Sequence, residues 1–157
     1  MPNWLYLFVN LLYHLGLAVW IGGAIALGGL AAPILFRSLP RHQAGAIFGP
    51  TLRRFSRVRV AALVLIIVGA GVKALRWESH AATPWIAVRW LAIAFLAFSV
   101  LYEILVLERA LEAKRLQLTP EMAEDDPRRR AFGALHRRAE VLMKWSLAAA
   151  VVALFFS

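Results

Sequence analysis

The chain has 157 residues, 61% of them hydrophobic and 17% charged, with a mean hydropathy of +0.67 and a formal net charge of +9. A soluble domain averages about 45–50% apolar and about 25% charged residues, so a soluble enzyme, a disordered chain and a collagen-like repeat all fit poorly. No cysteine is present, which excludes a disulfide framework and any thiolate-held zinc or iron–sulfur centre.

The length suits a single domain over 1–157, and an apolar chain of this size is expected to be an all-α integral membrane four-helix bundle. A crossing helix needs about 20 mostly apolar residues. The first apolar run opens at Trp4 and reaches Phe36, broken only by Asn10 and His14. As one helix it would be about 50 Å long, so it tilts, overshoots the bilayer or bends near Gly28, Gly29 and Pro33; the span itself is set at 4–30. It is too long for the core of a secretory signal and no basic residue precedes it, so it is read as a retained helix. The second span is expected over 58–76, its helix starting among the arginines near Leu52. The third opens at Pro84, a favourable residue for a first helical turn, and runs over 84–107. Beyond it Glu108–Leu116 reads as a solvated extension, with Pro120 as its break. Glu124, Asp125 and Asp126 suit the positive end of a helix dipole, so the last helix begins near Pro127 and spans the bilayer over 136–156.

The basic residues set the direction. Six arginines, Arg59 the last of them, fall between the first span and Val60, and eight basic residues between Leu107 and Ala139. The positive-inside rule puts the loops 37–57 and 108–135 in the cytoplasm and both termini outside, as in a multi-pass protein of a bacterial inner membrane. Trp4, Tyr6, Trp77, Trp85 and Trp90 then fall near the outer interface. The basic clusters face anionic lipid headgroups. Without a nucleic-acid-binding motif beside them, they do not point to nucleic acid.

Ionisable groups at membrane depth face protein, water or a ligand. His14 lies near mid-membrane, and Asn10, Ala18, Gly22 and Ala26 share its face, small enough for close approach of a helix or a flat ligand. His14 is therefore either a histidine hydrogen-bonded across a helix interface or, with Asn10 beside it, an axial ligand to haem or another tetrapyrrole. On the last helix His136, Glu140 and Lys144 form one stripe, and Glu103 reaches a similar depth. His136, Glu140 and Glu103 could hold a metal ion. Because Lys144 would compete with any cation, the favoured reading is a polar lock between the third and fourth helices made by Glu103, Glu140 and Lys144. Lys73, Arg76 and Arg89 read as residues snorkelling to the interface, and His80 as an exposed loop residue. No phosphate-binding, dinucleotide-binding, zinc-protease or serine-hydrolase motif occurs.

Two stretches carry a resemblance. Tyr13–Gly23, with His14 and Gly22-Gly23, resembles the first helix of copper-resistance-D-like proteins and of the four-helix haem-binding protoporphyrinogen oxidases. Ala32–Gly45, then Leu52-Arg-Arg-Phe55 and Leu135-His136, resemble the transmembrane-protein-205-like family, catalogued as a domain of unknown function. That likeness implies four spans with a histidine in the first. The family's small hydroxyl and amide after the last-helix histidine are not matched, Ala139 and Met143 standing there instead. Together these features lead to a non-enzymatic polytopic membrane protein, a small-ligand or metal-handling protein or a packing subunit. Two alternatives stay open: a haem-binding oxidoreductase with His14 as axial ligand, and an accessory or homo-oligomeric subunit of a respiratory or photosynthetic complex.

Overall fold

The computed structural model describes residues 3–78, 83–118 and 126–157. They form four helical rods: α1 (Asn3–Ser38), α2 (Arg41–Arg76), α3 (Pro84–Arg115) and α4 (Pro127–Phe155). α1 and α2 are separated only at Leu39 and Pro40. Leu39 is extended (φ −129°, ψ 150°), as steric conflict with a following proline ring requires, and the chain reverses there. The expected loop over 37–57 is therefore helical from Arg41 onward. Pro50 lies inside α2 without ending it, and Ala44 and Phe48 are buried, the Phe48 ring lying edge-on to Phe36 of α1 at 6.0 Å. Tertiary packing thus holds helix where the local sequence alone suggests a loop. The extension beyond Leu107 is helical to Arg115, and α4 starts at Pro127, where the Asp126 carboxylate accepts a 2.7 Å bond from the Arg128 amide. Pro120, Glu124 and Asp125 lie outside the described residues.

Two rods contain a wider, π-helical stretch. In α1 it covers Ile25–Ala31 and ends two residues before Pro33, whose ring would clash with a carbonyl in a regular preceding turn. In α3 it covers Glu103–Leu107 and opens on a buried acid, Glu103.

The rods alternate in direction. At one end Tyr6 of α1 meets Trp77 past α2 edge-on at 5.2 Å, and Trp85 of α3 stacks on Phe156 past α4 at 5.3 Å. α1 packs closely on α2 because glycines remove the side chains between them. A Cβ on Gly16 would sit 2.6 Å from the Ala62 carbonyl oxygen, and one on Gly69 2.8 Å from Tyr13 Cβ. The core between the rods holds Tyr13, Leu17, Trp20, Ile66, Leu96 and Ala150, all fully buried. Large apolar side chains such as Leu11, Val64, Leu91, Phe98 and Val151 point outward instead. That arrangement suits an apolar surround.

α1, α2 and α3 are long and apolar enough to cross a membrane. α4 does not meet that measure among the described residues, because Arg138, Glu140 and Lys144 enter its apolar part. It nevertheless lies along the same core. The Tyr13 hydroxyl donates to the Ala153 carbonyl at 2.7 Å, and a Cβ on Gly28 would stand 3.0 Å from Met143 Cε.

Candidate functional site

Charged residues recur on the buried faces of α2 and α3 at steps of seven. Arg59, Ile66 and Lys73 share one face of α2; Arg89, Leu96 and Glu103 share one face of α3; all six are buried. Each stripe is apolar in the middle and charged at its ends. The bundle therefore has a polar cluster at each end.

At the end carrying Phe36 and Phe48, the Arg59 guanidinium donates through Nη2 to Glu103 Oε1 in a close ion pair, and the Ser56 hydroxyl donates to the same oxygen at 2.8 Å. Arg59 is 1% exposed, and its guanidinium lies 5.5 Å from the Trp20 ring and 5.3 Å from the Phe55 ring. Arg59 Nε and Trp20 Nε1 have no hydrogen-bond partner among the described residues. The cluster is compact and filled, with matched charge.

At the other end the balance differs. Arg89 forms a two-armed pair with Glu78, Nη1 to Oε1 at 2.9 Å and Nη2 to Oε2 closer still. The hydrogen bond from Arg89 is the main influence holding the Glu78 carboxyl below its ordinary range; burial opposes it, and the charges of Arg89 and Lys73 reinforce it. Lys73, 5% exposed, has no ion pair or hydrogen bond among the described residues. Its Nζ faces the Tyr13 ring at 5.5 Å. Arg89 Nε is likewise without a partner among the described residues. These groups border a cavity of about 320 Å³, whose other walls include Tyr6, Trp77, Trp85, Ile86 and Phe156. Among the described residues, two cations and one carboxylate side chain thus line a space walled by two aromatic pairs.

The residues singled out from the sequence are placed as follows. Glu103 does not join Glu140 and Lys144; it is held by Arg59 and Ser56 and ties α2 to α3. Glu140 and Lys144 instead form an exposed 2.7 Å pair on one face of α4. His136 is exposed and stacked near Phe132 at 6.4 Å. Among the described residues no three metal-ligating side chains converge, so His136, Glu140 and Glu103 do not assemble a metal site. The reason is helix rotation: α4 turns its charged stripe outward and presents Ser146, Ala150 and Ala153 to the core.

His14 is half-buried, with Nδ1 donating to the Asn10 carbonyl at 2.8 Å and Nε2 3.2 Å from the Ser157 hydroxyl. Asn10 Oδ1 is buried without a partner among the described residues. Ala18, Gly22 and Ala26 face outward, so the small-residue ladder below His14 meets no other rod of the bundle. Lys73 and Arg89, expected to snorkel, are buried. His80 lies outside the described residues. Arg59, one of the six arginines ahead of Val60, is a buried partner of Glu103 and not a headgroup-facing residue; the sequence signal that identifies it is the seven-residue step to Ile66 and Lys73.

A family model described as Domain of unknown function (DUF4149) matches residues 15–118. The matched segment contains both the Arg59–Glu103 and Glu78–Arg89 pairs and Lys73, and it starts one residue after His14. No curated protein and no solved structure matches the chain.

Proposed function

The chain belongs to the DUF4149 family, and from that premise we propose that it is a non-enzymatic, four-pass membrane protein that holds a small ligand in the cavity beside Lys73 and Arg89. The observation that carries this reading is the buried Lys73 ammonium, without an ion pair or hydrogen bond among the described residues, at the edge of an aromatic-walled space of about 320 Å³. Small-ligand sites are concave, largely apolar and furnished with a few placed polar groups, and they commonly exceed about 300 Å³. In this reading α4 completes the fourth crossing beside α1 and α3. The arginines at the opposite end lie in the cytoplasm of a bacterial cell, and the cavity faces outward. The narrower likeness to transmembrane-protein-205-like proteins accords with four crossings. The haem-ligand role implied by the likeness to four-helix protoporphyrinogen oxidases draws no support from His14, because both its ring nitrogens are engaged by the chain's own oxygens.

Two measurements test the reading. Tryptophans 77 and 85 border the cavity, so a brominated ten-carbon amphiphile that enters it quenches their fluorescence saturably in nanodiscs. Filling the space by Ile86→Phe is expected to abolish the saturable component while the thermal midpoint stays near wild type. Equal, non-saturable quenching in both proteins overturns the reading. Orientation is checked separately by single cysteines in this cysteine-free chain. Thr83→Cys is expected to react with an impermeant thiol reagent on intact cells, and Gly133→Cys only after lysis.

A further inference from the structure

We propose that the ligand is a singly charged oxyanion with an apolar tail, a carboxylate or a phosphate diester, whose head pairs with Lys73. This rests on the cavity being a ligand site, and it adds the chemical class. An ammonium has three donors and no acceptor capacity, so only acceptors can satisfy it. Among the described residues Glu78 is the one carboxylate side chain lining the space, and both its oxygens are already engaged by Arg89. The Tyr13 ring faces Lys73 but supplies no formal counter-charge. Ser157 also lines the space, but among the described residues no acceptor stands within ion-pair or hydrogen-bond distance of Lys73, and a buried ammonium is costly to keep charged without such a partner.

A cationic ligand would be repelled, and a neutral one would leave the ammonium unmatched. A single oxyanion completes the site. Arg89 also lines the space, and its buried Nε has no partner among the described residues. The remaining walls, Tyr6 on Trp77 and Trp85 on Phe156, are flat rings, which suit methylenes better than a second polar group. Tyr6 and Trp85 are also partly exposed at the rim, so a tail can leave the space toward an apolar surround. The ion pairs of Arg59 with Glu103 and of Arg89 with Glu78 provide the internal comparison: the fold pairs both of these buried cations with its own carboxylates.

The test uses the full chain in nanodiscs of phosphatidylcholine, with brominated decanoate and brominated decanol as probes. Decanoate is expected to bind at least tenfold more tightly than decanol to the wild type. Lys73→Met is expected to erase that preference and leave decanol binding unchanged, while Lys73→Arg keeps it. Adding phosphatidylglycerol to the disc identifies the source: competition with decanoate assigns the site to a lipid headgroup, and lack of competition to a free amphiphile, either result agreeing with the oxyanion class. Equal binding of decanoate and decanol by the wild type overturns the oxyanion assignment and leaves the ligand cavity standing. Saturable binding of neither probe overturns both. The wild-type comparison decides the matter even should Lys73→Met fail to fold.

Discussion

Glu103 on α3 accepts from Arg59 on α2 at one end of the bundle, and at the other end the polarity is exchanged, with Arg89 on α3 pairing to Glu78 just past α2. The two levels are fourteen residues apart on each rod, from 59 to 73 and from 89 to 103. At the rise of a helix this separates them by about 21 Å. Between them the two rods meet through Ile66, Ala70, Ile93 and Leu96. The two ion pairs thus close an apolar slab and fix the register of α3 against α2.

Removing one partner of the Arg59–Glu103 pair leaves the other buried and unmatched. Glu103→Ala is expected to lower unfolding free energy by about 3–5 kcal/mol, measured by reversible denaturation in mixed micelles. The double change Arg59→Met with Glu103→Leu is expected to cost less than Glu103→Ala alone, since it removes both charges. A double variant weaker than either single one contradicts this account.

The close approach of α1 and α2 depends on particular glycines. A Cβ on Gly69 meets Tyr13 backbone atoms at 3.0 Å, which cannot move aside without separating the rods, whereas one on Gly22 meets nothing within 4 Å. Gly69→Ala is expected to destabilise by about 1–3 kcal/mol and Gly22→Ala to stay within about 0.5 kcal/mol of wild type. Thermal unfolding in one detergent compares the two directly.

Acid should loosen the end of the bundle that carries the cavity. Glu78 is held below its ordinary value of 4.5 in the folded chain, mainly by Arg89, so the folded state favours its charged form. Its contribution is therefore complete above the unfolded value and is lost as pH falls through the lowered folded value. The groups facing it are Arg89 on α3 and Lys73 on α2, with the Tyr6 and Tyr13 hydroxyls on α1 nearby. Wild-type thermal midpoints should drop between pH 5 and pH 3 more steeply than those of Glu78→Gln, which start lower at neutral pH. Parallel curves would deny Glu78 this role.

His14 is expected to act as a packing residue. Its ring joins the Asn10 carbonyl to Ser157 and lies edge-on to Tyr13 at 5.5 Å. Loss of these hydrogen bonds in His14→Ala should cost about 0.5–1.5 kcal/mol. The visible spectrum checks the competing role: a Soret band present in wild type and lost in His14→Ala would make the histidine a haem ligand.

Much of this was legible before any contact was known. The apolar runs from Trp4, Val60 and Pro84 become rods, and Pro84 and Pro127 open helices. The boundary at Pro40 was hidden because Gly45 and Pro50 weaken helix signals locally, while burial of Ala44 and Phe48 sustains the helix. The cavity was harder to find. Lys73 and Arg89 lie near rod ends, where long basic side chains ordinarily reach water, and only the inward rotation of both helices separates burial from snorkelling.

Hydropathy along the chain is enough to specify the class of molecule and its rods, because long apolar stretches must satisfy their backbone hydrogen bonds internally and do so as helices. Which charges meet follows from the packing of the rods. A helix fixes the angle between its own residues but not the direction in which its stripe points. Packing at Gly16 and Gly69 turned Arg59 and Lys73 inward, while α4 turned Glu140 and Lys144 out.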